Sequence, residues 1–193
     1  MDARFPPAGA ADCHVHVIGP KSRFPLIKDR RYTPMDAPTD ALAAMLKRSG
    51  LDRVVLVQPS FYGTDNACML DCLAALPGAR AVAVLPAAVP GAALDDMHRR
   101  GVRGLRVNIA TAGTASLDAM RDDIVAAARL CDRNGWHVQI FVPSTVLAPL
   151  APTLRALPVP TGIVQFVFSS PYTAGEPLST LIGLLESGKA WVK

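Results

Sequence analysis

The sequence predicts an α/β fold built on a parallel sheet. Short β-rich runs alternate with helical patterns from residue 11 to the end, and the run Val54-Val55-Leu56-Val57 is continuously apolar, as in a strand covered on both faces. No stretch rich in Gly, Ser or charge divides the 193 residues, so one domain over residues 1–193 is expected. Half of the residues are apolar and 19% are charged, a globular composition that can bury a sizeable core.

The elements follow in order. Ala11 to Ile18 and Arg53 to Ser60 read as strands. Asn66 to Leu76 reads as a helix, with apolar positions three and four apart and Pro77-Gly78 ending it. Ala79 to Ala87 is the next expected strand, Ala93 to Arg100 a short helix and Val102 to Ile109 a strand. Ser116 to Asn134 has the pattern of a long amphipathic helix closed by Gly135, and Trp136 to Val142 that of a strand. Val146 to Leu157 reads as a helix perturbed by Pro149 and Pro152. Gly162 to Phe168 is an expected strand, Leu178 to Glu186 a helix, and Ala190 to Lys193 opens a seventh strand. Two layouts suit such alternation, an open doubly wound sheet and an eight-stranded barrel; length alone favours the open sheet, since barrels usually take about 250 residues. The first strand-to-helix connection, Gly19-Pro20-Lys21-Ser22, is not a dinucleotide-binding GxGxxG turn, and no GxxxxGK[ST] loop occurs.

Several function classes are set aside by composition. Apolar runs fall far short of the roughly 20 residues of a membrane span, and Met1 to Ala11 lacks the apolar core of a secretory signal. A cytoplasmic protein with no membrane partner is expected. The charge of +4 is spread over 20 basic and 16 acidic residues; the arginine pairs at 30–31 and 99–100 read as solvated surface, so no nucleic-acid partner is expected. Cysteines at 13, 68, 72 and 131 form no CxxC pair, which argues against a zinc ribbon or disulfide framework. Cys68 and Cys72 are expected to pack as small apolar groups, and Cys13 has no paired cysteine to support thiol chemistry.

Chemistry is concentrated in few places. In Asp12-Cys13-His14-Val15-His16, residues i and i+2 of a strand share a face, so His14 and His16 converge. Two convergent imidazoles suit a metal site or a carbonyl-polarising anion site, and equally a hydrogen-bonded surface pair. In Arg103-Gly104-Leu105-Arg106-Val107-Asn108, Arg106 and Asn108 share one face and Arg103 takes the other. Arg106, inside an apolar strand, needs an anionic partner, whereas Arg103 reads as a surface or salt-bridge residue. The loop from Gln58 to Asn66 follows a buried strand end, where ligand clefts form in parallel α/β folds; Thr64 or Asp65 can equally cap the next helix. His137 reads as a packed or rim histidine, with Gln139 and Phe141 on its face, and His98 as a solvated helix residue.

The runs DCHVHVIGP, RFPL, RRYTP, VVLVQPSFYGTDN, GVRGLRVN, WHVQIF and GKAWVK, in this order, resemble the amidohydrolase-related, metal-dependent hydrolases with a TIM-barrel fold. Within them the chain is most similar to the branch of the pyrone-dicarboxylate and sugar-acid lactonases. The resemblance implies an α/β barrel of (β/α)8 type in place of the open sheet, here about six βα units and the start of a seventh strand. The chain is therefore expected to be truncated before strand 8, either a fragment or a natural truncation. It implies that His14 and His16 are the catalytic pair, binding a divalent metal in many members and polarising a lactone carbonyl without metal in this branch. It further implies substrate contacts from Tyr32, Ser60, Tyr62, Thr64 and Asn66, and carboxylate binding by Arg103 and Arg106.

Two departures from the family pattern stand out. A strand ending Asp-His-Phe-Gly-Arg-Pro is replaced by Phe166-Val167-Phe168-Ser169-Ser170-Pro171, with Val167 where the histidine belongs, and the eighth-strand aspartate is missing. The expected activity is hydrolysis of a carboxylate-bearing lactone or related cyclic ester. The alternative is an inactive barrel remnant that at most binds a small anion. No cofactor is expected; if a metal such as zinc is used, His14 and His16 are its ligands. Open sheet edges at an incomplete barrel predict self-association.

Overall fold

The computed structural model describes residues 6–109, 116–165 and 175–193. The stretch from Phe166 to Ser170, with Val167 at the expected histidine position, lies outside them. The chain forms two compact units, Met1–Val84 with Asp96–Val102 and Leu85–Asp95 with Arg103–Lys193.

In the first unit, strands β1 (Ala11–Val15), β2 (Arg53–Val57) and β3 (Arg80–Ala83) pair in parallel and in chain order. Val54, Leu56 and Val57 are buried, as the apolar run predicts, and so are Ala81, Val82 and Ala83. β1 is shorter than its sequence suggests. Between the pairs Asp12↔Val54 and Val15↔Leu56 it carries one extra residue, a bulge. There the Asp12 carboxylate accepts the backbone N–H of His14 at 3.0 Å. Ile18, expected inside this strand, instead makes an antiparallel bridge with Ala37, which ties down the long connection after β1.

That connection leads into helix α1 (Thr39–Arg48), which the sequence pattern does not announce. Its core-facing stripe is only Leu42 and Leu46, interspersed with alanines, and Pro38 stands at the N-cap position with no side-chain cap. The usual start signal is absent, and burial of two leucines substitutes for it. Helix α2 (Ala67–Ala75) buries Cys68, Met69, Cys72 and Leu73, so both thiols pack inward as expected.

In the second unit, β4 (Val102–Asn108, entering from Arg103), β5 (His137–Phe141), β6 (Thr161–Ile163) and β7 (Ala190–Val192) also pair in parallel in chain order. Helix α3 (Gly91–Arg99) precedes β4 and is shared between the units. Helix α4 (Leu117–Asp132) is capped by the Ser116 side chain, which accepts the Ala119 N–H, and buries Met120, Ile124, Ala128 and Cys131. Helix α5 (Leu147–Ala156) tolerates Pro152 at an exposed position while burying Leu147, Leu150, Ala151 and Leu154. Helix α6 (Glu176–Glu186) buries Leu181 and Leu184 but leaves Leu178, Ile182 and Leu185 exposed. No helix among the described residues is long and apolar enough to cross a membrane.

Candidate functional site

The histidine pair comes together as the sequence predicts, though by a different route. β1 ends at Val15, so His16 lies just past the strand, and the bulge interrupts the simple alternation. The rings nevertheless meet edge-on, 5.3 Å between centroids. His16 Nδ1 lies 2.7 Å from the Val57 carbonyl oxygen. A carbonyl can only accept, so Nδ1 carries the proton and Nε2 is left as the basic nitrogen. The end of β2 thus sets both the tautomer and the orientation of His16.

The loop after β2 is tied down mainly by side chains bonding to backbone. Gln58, fully buried, donates from Nε2 to the carbonyls of Asp65 at 2.7 Å and Gly63 at 3.3 Å. Asn66 Nδ2 donates to the Thr64 and Val84 carbonyls, and Asn66 Oδ1 accepts the Val84 N–H. The Asp65 carboxylate accepts the Ala67 N–H, but the N-cap position itself is Asn66, which makes no side-chain cap, so neither Thr64 nor Asp65 is the N-cap. A Ser60–Tyr62 turn of 3₁₀ helix buries Phe61 and Tyr62. The Tyr62 hydroxyl accepts the Gly19 N–H at 3.2 Å and contacts Cys68. Burial first, then that thiol, push the Tyr62 hydroxyl above its usual pKa.

Of the residues the resemblance assigns to substrate, Tyr62 and Asn66 therefore sit buried in scaffolding contacts. Ser60 is half-buried and Thr64 is exposed. Tyr32 is 53% exposed and stands edge-on to Phe61, 5.6 Å between ring centroids.

The second unit carries the arginines. Register puts Gly104, Arg106 and Asn108 beside His137, Gln139 and Phe141 on one face, and leaves Arg103 on the other. Arg106 is buried, with its guanidinium carbon 5.7 Å from the Phe141 ring centre. His137 packs against Trp191 at 5.0 Å and over Gly104, where a Cβ would lie 2.6 Å from the imidazole. Burial first, and then the charge of Lys193, lower the His137 pKa to about 4, so the ring is neutral at pH 7. Sequence reasoning did not single out Lys193 or give Gln139 a role. Lys193 Nζ donates to Gln139 Oε1 at 2.9 Å, a contact 54 positions apart with no local signal.

No three His, Cys, Asp or Glu side chains group as a metal centre among the described residues. Zinc takes three or four protein ligands, so the two imidazoles by themselves do not fit it.

The chain matches the Amidohydrolase family model over residues 11–178. It is 37% identical over 154 residues to a 2-pyrone-4,6-dicarboxylate hydrolase of Comamonas testosteroni, covering 79% of this chain and 50% of that protein. It is 32% identical over 193 residues to a 4-sulfomuconolactone hydrolase of Hydrogenophaga intermedia, covering 97% of this chain and 62% of that one. The chain thus spans half to just under two thirds of these relatives. Among solved structures it is similar to a Pseudomonas putida protein assigned as a 2-pyrone-4,6-dicarboxylic acid hydrolase, at 31% identity and TM-score 0.80 over 95% of this chain and 67% of that one. An Acinetobacter baumannii protein at 24% identity and TM-score 0.81, covering 95% of this chain and 69% of its own, shares the fold. These matches support the barrel-type α/β class over the open sheet, and with most of its length inside one family model the chain belongs to the amidohydrolase family.

Proposed function

We propose that the chain belongs to a hydrolase that opens a carboxylate-bearing lactone, and that residues 1–193 act as one barrel-type domain in it. The observation that carries the reading is the His14–His16 pair, with the His16 tautomer set by Val57. Relatives at 37% and 32% identity are named for hydrolysis of a pyrone dicarboxylate and a sulfonated muconolactone, both anionic lactones.

In this reading the imidazoles are the catalytic groups. One imidazole polarises the lactone carbonyl and steadies the oxyanion as water adds; the other takes the proton of that water and returns it to the ring oxygen as the C–O bond breaks and the ring opens to the acid. Arg106 holds a substrate carboxylate, a role its planar fork of donors suits. Arg103, on the opposite strand face, serves packing or surface charge. Among the residues assigned to substrate, exposed Tyr32 and Thr64 and half-buried Ser60 can make the contacts, while Tyr62 and Asn66 position the loop. No metal takes part.

The test is hydrolysis of 2-pyrone-4,6-dicarboxylate and 4-sulfomuconolactone, followed by loss of lactone absorbance, with and without EDTA. Activity that survives EDTA and falls at least about 100-fold in His14→Ala is expected. Equal rates for the variant and its parent would remove the histidines from the chemistry. Zinc that stays bound after EDTA dialysis would overturn the metal-free reading, and absence of activity on any lactone would favour an anion-binding remnant.

A further inference from the structure

Gln139 lies in β5, directly beside Arg106 of β4 in register and on the same face. Neighbouring strands lie about 4.8 Å apart, so the two side chains leave the sheet together. Only 1% of Gln139 is exposed. Its amide orientation follows from chemistry: the Lys193 ammonium has only protons to give, so the group 2.9 Å away is Oε1, and the NH2 end points elsewhere. Lys193 is itself well anchored. Its backbone N–H donates to the Ile163 carbonyl at 2.9 Å, and its carbonyl accepts the Gln165 N–H at 2.7 Å. The Gln139 NH2 is buried and has no hydrogen-bond partner among the described residues. A buried donor without a partner costs stability, and an acceptor on a bound ligand relieves that cost.

The charge on this face points to the ligand. Strands β4, β5, β6 and β7 contain no Asp or Glu, while Arg106 and Lys193 bring two positive charges.

We propose that Gln139 is a further substrate-binding residue, whose NH2 donates to a carboxylate oxygen of a small dicarboxylate beside Arg106, with Lys193 as the positioning residue that holds the amide in this orientation. The proposal rests on the lactonase reading for the identity of the substrate, but not for the binding itself.

The probe is pyridine-2,4-dicarboxylate, a planar dicarboxylate that cannot be hydrolysed, titrated calorimetrically into the whole chain with melting curves alongside. Gln139→Met should weaken binding at least tenfold while Tm stays level or rises, because a buried unpartnered group is removed. A merely structural glutamine would instead lower Tm. Gln139→Glu, which keeps the shape and pairs with Lys193 but repels an anion, should abolish binding in a folded protein. Lys193→Met should weaken binding, and Lys193→Arg should restore most of it. Wild-type protein that does not bind the probe, or Gln139 variants that bind it like the parent, would overturn the proposal. Probe binding that survives in protein without lactone hydrolysis supports this subsite while removing the lactonase reading. Hydrolysis with unchanged KM in Gln139→Met removes the subsite alone.

Discussion

The two units handle buried polar groups in opposite ways. Around β2 and β3, Gln58, Asn66 and His16 bond chiefly to backbone, locking a loop and a histidine in place. On β4, on β5 and just past β7 stand Arg106, Gln139 and Lys193, where the Lys193 side chain holds that of Gln139 and the Gln139 NH2 is left over. The first arrangement ties a loop largely to the chain's own backbone. The second ends on a pair of side chains and leaves the Gln139 donor over.

The largest effect should come from breaking the scaffold. Asn66→Ala removes three hydrogen bonds and strips both polar groups of Val84 of their partner, so a loss of about 3 to 4 kcal/mol is expected by urea denaturation. A loss below about 1 kcal/mol would mean that water replaces the amide and the contrast between the units is overstated.

The second prediction uses pH. The His137 pKa falls from 6.5 to about 4 on folding, so the unfolded chain takes up its proton first as pH drops. Stability from this group is complete above about pH 6.5, declines between there and about pH 4, and is exhausted below; the full span is on the order of 3 kcal/mol. Tm measured against pH should show this decline, and His137→Phe should flatten it. An equal slope in the variant would exclude His137 as its source.

A smaller effect tests why β4 has a glycine there. The new methyl of Gly104→Ala would meet the His137 ring at 2.6 Å, an overpacking cost of about 2 kcal/mol. The displaced ring should also titrate closer to its ordinary pKa, which NMR would read directly.

The smallest effect on folding is expected on the outer face of α6, where Leu178, Ile182 and Leu185 are exposed on one stripe. Replacing all three with Gln should change stability by only about 0.5 kcal/mol while reducing self-association, read by size-exclusion chromatography with light scattering. A parent protein that is strictly monomeric would remove this apolar stripe as a cause of association.

Local pattern determined much of this protein. Alternating apolar runs announced seven parallel strands, the spacing of His14 and His16 announced their meeting, and the parity of β4 separated Arg103 from Arg106. The strands and the parity of β4 depend on residues a few positions apart, where backbone geometry fixes direction, whereas the histidines meet although His16 lies past the end of β1. Helix α1 escaped because its stabilising contacts are tertiary and its cap is a proline. The bulge in β1 arises from a register mismatch with β2, and Tyr62 and Asn66 became scaffold through partners at Gly19 and Val84. Lys193 reaching Gln139 is the extreme case. Such contacts form between segments far apart in the chain, brought together by burial of the strands, so only the folded structure decides which polar groups find backbone and which are left to bind something else.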